Sequence, residues 1–120
     1  MNKTLIIIPA FNEAGNIEKV VADIKEHKKD CDILVINDCS TDNTSEVARG
    51  LKNCTVIDLS VNLGIGGAVQ TGFKYASESG YEYSVQFDGD GQHNAAEVEK
   101  ILDPVVKGQA DVVIGSRFLK

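Results

Sequence analysis

Five short apolar runs, each followed by a polar or glycine-rich cluster, restrict this chain more than any other feature. Leu5-Ile6-Ile7-Ile8 is the first and is closed by Pro9; residues 32–36, 55–59, 83–87 and 110–114 supply the others. A run that is apolar almost throughout, not at alternate positions only, is what a strand covered on both faces requires. Between the runs the apolar period changes to that of a helix. Residues 14–27 carry Ile17, Val20, Val21 and Ile24, and a later stretch carries Val69, Gly72, Phe73 and Ala76. A helix is expected to begin near Asn43, with Glu46 placed to complete a capping box and Val47, Ala48 and Leu51 facing inward. Asn94 and Glu97 signal another start, before Val98, Ile101, Leu102 and Val105, with Pro104 kinking or shortening that helix. Strands alternating with helices through short links predict right-handed βαβ units in an α/β fold. The expected architecture is three-layered and Rossmann-like, with a mainly parallel sheet ending after about five strands. The 120 residues suit one domain and contain no internal repeat or low-complexity linker.

In such a sheet ligands bind beyond the carboxyl ends of the strands, near a switch in strand order. The clusters after the first four runs therefore converge on one edge. The most acidic follows the fourth run, Ser84-Val85-Gln86-Phe87-Asp88-Gly89-Asp90-Gly91-Gln92-His93. Gly89 lets Asp88 and Asp90 turn toward one point. At about 4 Å two carboxylates repel by roughly 4 kcal/mol at an effective dielectric near 20, so they need a shared proton or a cation. With Gln92 and His93 beside them, the oxygen-rich set favours a hard divalent ion, Mg²⁺ or Mn²⁺. His93 has no partner evident in the sequence, which favours a hydrogen-bonded structural role over general-base work. Asn37-Asp38-Cys39-Ser40-Thr41-Asp42, after the second run, holds residues that cap helices and form turns. Asp42 reads as a cap, whereas Asp38 suits a cap or a ligand contact equally. Asn62-Leu63-Gly64-Ile65-Gly66-Gly67-Ala68, after the third run, fits a tight helix start or a place where a diphosphate approaches backbone amides. Arg117, beside Gly115 and Ser116, suits a surface charge or a phosphate contact.

Charge and position exclude several function classes. A formal net charge of −6 argues against binding a nucleic-acid backbone. The three cysteines, Cys31, Cys39 and Cys54, fit no zinc spacing and read as reduced thiols, as expected in the cytoplasm. The opening apolar run is too short for a signal peptide or a membrane span. The glycine segment lacks the third glycine of a dinucleotide fingerprint and follows the third run, not the first. Asp88, Asp90, Gln92 and Glu99 fall at EF-hand positions, but His93 stands where that loop needs glycine, and the segment before it is strand-like. A receiver domain or a dehalogenase-type phosphatase would place its acidic pair after the first strand, where Pro9 and Ala10 stand.

Taken together, the motifs resemble the nucleotide-sugar-binding half of family 2 glycosyltransferases with the GT-A fold. Pro9-Ala10-Phe11-Asn12-Glu13 is similar to their P-x-[YF]-N-E opening, and the segment from Asn37 to Asp42 to their D-D-G-S-T-D turn. The glycine segment is similar to N-x-G-x-G-x-A, and Asp88-Gly89-Asp90-Gly91-Gln92-His93 to the D-x-D-x-Q-H motif. With Gly115-Ser116-Arg117-Phe118 the resemblance spans nearly the whole chain, and it leans toward the dolichyl- and polyprenyl-phosphate sugar transferases. It implies metal-dependent, inverting transfer of a sugar from a UDP- or GDP-sugar to a polyprenyl phosphate or a glycan, in the cytoplasm or at the cytoplasmic face of a membrane. The reading from another class is a non-catalytic nucleotide-sugar-binding module.

The resemblance also implies roles. Pro9, Ala10 and Glu13 would line the nucleotide pocket, Asp38 would read the base, and Gly64, Gly66, Gly67 and Ala68 would lie near the nucleotide. Asp88 would sit beside ribose and metal, Asp90 and Gln92 would bind the Mg²⁺ or Mn²⁺, and Arg117 would meet the donor diphosphate or an acceptor phosphate. Asp88, Asp90 and Arg117 are thus the expected catalytic residues. Two positions depart from the family pattern: Asn37 replaces its first turn aspartate and Cys39 its turn glycine. The resemblance covers only the family's nucleotide-sugar-binding half, since the sequence ends at Lys120 where the family continues into its acceptor-binding half.

Overall fold

The computed structural model describes residues 3–27, 30–52, 54–87 and 112–115. Among them the order is β1 (Thr4–Ala10), α1 (Ile17–His27), β2 (Cys31–Asn37), α2 (Thr44–Arg49), β3 (Cys54–Asp58), α3 (Gly64–Glu78), β4 (Tyr83–Phe87) and β5 (Val112–Gly115). The strands form one sheet in the order β3-β2-β1-β4-β5, and every described pairing is parallel. The chain runs outward from β1 through β2 to β3, then returns to the other side of β1 for β4. The switch in strand order therefore lies between the carboxyl ends of β1 and β4, where parallel sheets open a ligand crevice.

The apolar runs behave as doubly covered strands do. Ile6, Ile8 and Ala10 of β1, with Ile33 and Val35 of β2 and Val85 and Phe87 of β4, pack under Ile17, Val20, Val21 and Ile24 of α1 and Ala48 of α2. The intervening residues face the opposite layer, where Leu5, Ile7, Leu34 and Ile36 meet Ala68 and Ala76 of α3. Helices thus cover both faces, and the fold is the expected three-layer α/β arrangement. The second layer is thin because α3 lies close to the sheet. A Cβ on Gly72 would stand 2.4 Å from Ile7 Cγ2, so only glycine permits that approach. At the amino edge the Tyr81 hydroxyl donates to Asp32 Oδ2 at 2.6 Å and fixes the connection from α3 into β4. Burial and that carboxylate hold the phenol well above its usual range.

Several boundaries differ from the sequence expectation, each for a local reason. Helix α1 begins at Ile17, not near residue 14, because the backbone first winds a turn in which Asn16 N and Ile17 N both donate to Glu13 O at 2.9 Å. Strand β1 continues through Pro9 to Ala10. Ala10 O accepts from Asp38 N at 2.9 Å on the β2 side, which turns Pro9 toward β4. There the described pairing stops at Ile7 opposite Gln86, so the missing N–H of proline disrupts no ladder bond. The glycine segment is not a loop ahead of α3 but its first turn. The expected helix around residues 94–105 lies outside the described residues.

Candidate functional site

The loops after β1 and β2 brace each other through side chains. Three consecutive N–H groups of the first loop end on acceptors from the second. Asn12 N donates to Ser40 Oγ at 3.0 Å, Glu13 N to Thr44 Oγ1 at 3.0 Å, and Ala14 N to Asp42 Oδ2 at 3.3 Å. The bracing is reciprocal, because Asn12 Oδ1 accepts from Thr41 N at 2.8 Å, Thr41 Oγ1 at 3.2 Å and Asp42 N at 3.3 Å. Asn12 reaches these groups with φ of 54°, a left-handed conformation that asparagine tolerates better than most side chains. Glu13 Oε2 in turn accepts from Asn16 Nδ2 at 3.0 Å and is half-buried.

The start of α2 departs from the expected capping box. Asn43 occupies the N-cap position but makes no side-chain cap bond. Asp42 does the capping, its Oδ1 accepting from Thr44 N at 2.9 Å and from the Thr44 hydroxyl. The Thr44 hydroxyl holds the Asp42 carboxyl below its ordinary range; desolvation opposes this, and the backbone amides of Thr44 and Ala14 add to the lowering. Thr44 itself is fully buried and joins Glu13, Asp42 and α2 at one point.

Asp38 ties this corner to the third element. It is 4% exposed, its N–H continues the ladder to Ala10 O, and its Oδ1 accepts from Leu63 N at 2.7 Å. Leu63 is the N-cap residue of α3, so the carboxylate sits where the helix concentrates unpaired N–H groups and positive potential. Asn62 Nδ2 donates back to Asp38 O at 3.2 Å, and Asn62 Oδ1 accepts from Gly64 N at 3.1 Å. Asp38 is therefore a cap, but of a helix whose N-cap residue lies 25 positions later rather than of α2. Gly64 takes φ of 78°, and a Cβ on Gly67 would stand 2.6 Å from Leu63 Cβ. Gly64 and Gly66 are exposed, Gly67 is half-buried and Ala68 is buried under the sheet.

Of the residues expected at the site, Pro9 and Ala10 close β1, Glu13 follows in the braced loop, and Asp38 joins both to the segment from Gly64 to Ala68. Asp88, Asp90, Gln92, His93 and Arg117 lie outside the described residues, although Asp88 directly follows Phe87, the last residue of β4. No group of three or more His, Cys, Asp or Glu side chains suited to a metal occurs among the described residues. Asn12, Ser40 and Thr44 carry much of the bracing; the sequence reading gave Ser40 only a turn or cap role and Asn12 and Thr44 none. The one available signal was Asn12, a residue type suited to positive φ inside the P-x-x-N-E segment. Cys31, Cys39 and Cys54 are not joined in disulfides. Burial raises the Cys54 thiol to about 11, which keeps it protonated and unreactive at neutral pH.

A family model described as glycosyl transferase family 2 matches residues 5–120. The chain belongs to that family. Among curated family 2 relatives, a UDP-N-acetylglucosamine–dolichyl-phosphate N-acetylglucosaminyltransferase of Methanococcus voltae is 35% identical over 94% of this chain and 51% of its own length. A polyprenol monophosphomannose synthase of Mycolicibacterium smegmatis is 34% identical over 98% of this chain and 46% of its own length. The chain thus spans about half the length of the curated relatives it matches. The fold is that of solved glycosyltransferases. A mannosyltransferase from Pyrobaculum calidifontis, solved with GDP-Man and Mn²⁺, superposes with a TM-score of 0.68 at 24% identity, over 86% of this chain and 33% of that one. TarS of S. aureus, solved with UDP, gives 0.71 at 21% identity, over 88% and 32%. No helix among the described residues is long and apolar enough to cross a membrane.

Proposed function

We propose that this chain is the nucleotide-sugar-binding half of a metal-dependent, inverting glycosyltransferase that transfers a sugar from a UDP- or GDP-sugar to a polyprenyl phosphate, at the cytoplasmic face of a membrane. One observation carries the reading. Asp38 fastens the ends of β1 and β2 to the first turn of α3 beside the switch in strand order, so three segments of the family pattern meet before any ligand arrives. Its Oδ1 is engaged by Leu63, whereas its Oδ2 makes no hydrogen bond to another described residue and can accept from an N–H of the base. Pro9, Ala10 and Glu13 line that pocket, and Gly64, Gly66, Gly67 and Ala68 let the nucleotide approach the start of α3.

Asp88, which directly follows β4 in the sequence, would serve the ribose and the ion. The oxygen donors of Asp90 and Gln92 suit Mg²⁺ or Mn²⁺ and would hold it on the diphosphate. When bound, the ion supplies charge neutralisation between diphosphate and carboxylates and acts as a Lewis acid toward the departing nucleoside diphosphate. Arg117 meets the donor diphosphate or the acceptor phosphate. A phosphate acceptor is already anionic and attacks without a general base, whereas a glycan hydroxyl would need one.

Titration calorimetry with UDP-sugars and GDP-sugars tests this directly. Binding is expected with Mn²⁺ and is expected to fall at least about tenfold with a chelator or in Asp90→Ala. Equal affinity without metal removes the claim. Release of nucleoside diphosphate only when a polyprenyl phosphate is added separates transfer from mere binding.

A further inference from the structure

The family's first turn aspartate is replaced here by Asn37, and the surroundings of Asn37 show why an amide stands there. Asn37 is the cross-strand partner of Asp58 at the carboxyl end of the β2–β3 ladder. Its Nδ2 donates to Asp58 Oδ1 at 2.9 Å, while its Oδ1 accepts from Ser40 N at 3.2 Å and from the Ser40 hydroxyl. The far oxygen of Asp58 accepts from Arg49 Nη2, and Arg49 Nε donates to Ser45 Oγ at 3.2 Å, which orients the guanidinium. Arg49 and Ser45 from α2 and Asn37 from β2 are the groups facing Asp58. The Arg49 hydrogen bond first, then those of Asn37 and Ser45, hold its carboxyl down to about 2, so it is an anion at any ordinary pH.

The chain of bonds therefore has a direction. Arg49 pins Asp58, the anionic Asp58 accepts only from the donor end of the Asn37 amide, and the acceptor end is left for both donors of Ser40. Ser40 Oγ then accepts from Asn12 N, which carries the order into the β1 loop. Asn37 is 7% exposed, so water does not readily replace either contact.

We propose that Arg49, Asp58 and Asn37 form a positioning relay that holds the turn bearing Asp38 and Ser40 in its nucleotide-binding geometry, with an amide at position 37 required by the carboxylate at 58. The nucleotide part of this inference rests on the site reading of the preceding subsection. Restoring the family's residue should harm this chain: Asn37→Asp sets two carboxylates in hydrogen-bond contact, and one must take a proton. A protonated Asp at 37 would again donate to Asp58 and accept from Ser40.

The test uses calorimetric titration of UDP and of GDP, each with Mn²⁺, together with amide hydrogen exchange of Ser40 in the nucleotide-free protein. Asn37→Asp is expected to weaken binding about tenfold at pH 7.5, to recover partly at pH 5.5, and to be returned to within about threefold of the parent by a second change, Asp58→Asn. Ser40 exchange should quicken in the single variant and slow again in the double. Asp58→Ala, which leaves the turn's own residues untouched, should quicken the same amide and weaken binding roughly threefold. Unchanged Ser40 exchange in Asn37→Asp and Asp58→Ala, or a loss in Asn37→Asp that neither low pH nor Asp58→Asn repairs, overturns the relay. If the parent protein binds neither nucleotide, the site reading fails instead, and the exchange rates still decide whether the relay holds the turn.

Discussion

The two walls of the candidate site are built in opposite ways. On one side the loops after β1 and β2 are laced by side chains, with the N–H groups of Asn12, Glu13 and Ala14 all satisfied across the gap and Asn12 Oδ1 returning three contacts. On the other side the segment from Leu63 to Gly67 is attached through Asp38 and Asn62, and it exposes Leu63 and Ile65 to solvent, 50% and 60% respectively. A corner laced in this way is braced without a ligand, which on the proposed reading would suit recognition of a rigid, planar base. A helix start lined by Gly64, Gly66 and Gly67 carries little side-chain bulk and, on the proposed reading, would let a bulky, charged group come close. On the proposed reading, the contrast would divide the site into a part that selects and a part that admits.

Asp38 is the joint between the walls, so its removal should have the largest effect. In Asp38→Ala the Leu63 N–H loses the carboxylate of a buried residue as its acceptor, a loss of about 1.5–3 kcal/mol in unfolding free energy. Nucleotide affinity should fall more than in any variant confined to one wall. Denaturant unfolding and calorimetry on the same preparation check both, and a stable variant with parental affinity would dissolve the division into two joined walls.

Asn12→Ala attacks the laced wall alone. It removes the acceptor shared by Thr41 N, Thr41 Oγ1 and Asp42 N and puts alanine at φ of 54°, for about 1–2 kcal/mol. Because Asn12 is exposed, water takes over part of the lost bonding, which places this change below Asp38→Ala. Hydrogen exchange at Glu13 and Thr41 should quicken while exchange at Gly66 and Gly67 stays put. Equal acceleration on both walls would mean they open together.

How far each wall was legible in the sequence follows from the same physics. The sheet was readable because a doubly buried strand leaves an uninterrupted aliphatic run, and a helix repeats on its own period; Ile6 and Ile7 facing opposite layers needed no information from elsewhere. The glycine wall was readable in composition but not in form, since Gly64 to Gly67 belong to α3 itself. The lacing was not readable, because its bonds join residues 28 to 31 positions apart and their geometry depends on where the sheet puts two loop starts. Asp38 illustrates the limit. Its sequence neighbours suggest a cap for α2, yet its partner at Leu63 is chosen by the tertiary fold.

On the glycine wall, Gly67→Ala should cost less stability and more affinity. The added Cβ would meet Leu63 Cβ at 2.6 Å, and that atom is fixed to the backbone, so the first turn of α3 must shift. Leu63 is half-exposed and can move outward, and alanine has better helix propensity than glycine, so the net stability change should stay within about 1 kcal/mol. Loss of nucleotide affinity with near-parental unfolding is the expected pattern. Large destabilisation would show that this wall is as tightly built as the other.

The smallest effect is expected at Cys39, the point where the laced wall departs from the family pattern. Cys39 holds φ of 59°, where a Cβ crowds the backbone and glycine does not. Its thiol reaches Ser60 O at 3.7 Å, a weak contact. Cys39→Gly therefore relieves left-handed strain of about 1 kcal/mol or more and loses little bonding. Against this, glycine widens the unfolded ensemble and gives back about 0.4–1 kcal/mol. The two terms nearly cancel, and the balance falls between no change and about 1 kcal/mol of stabilisation. Since Asp38 is held by Ala10 and Leu63 and Ser40 by Asn37 and Asn12, the geometry of the corner should survive and nucleotide affinity should stay at the parental level. Destabilisation beyond 1 kcal/mol, read from denaturant midpoints at constant slope, would mean that the Cys39 side chain contributes packing or bonding larger than its contact with Ser60.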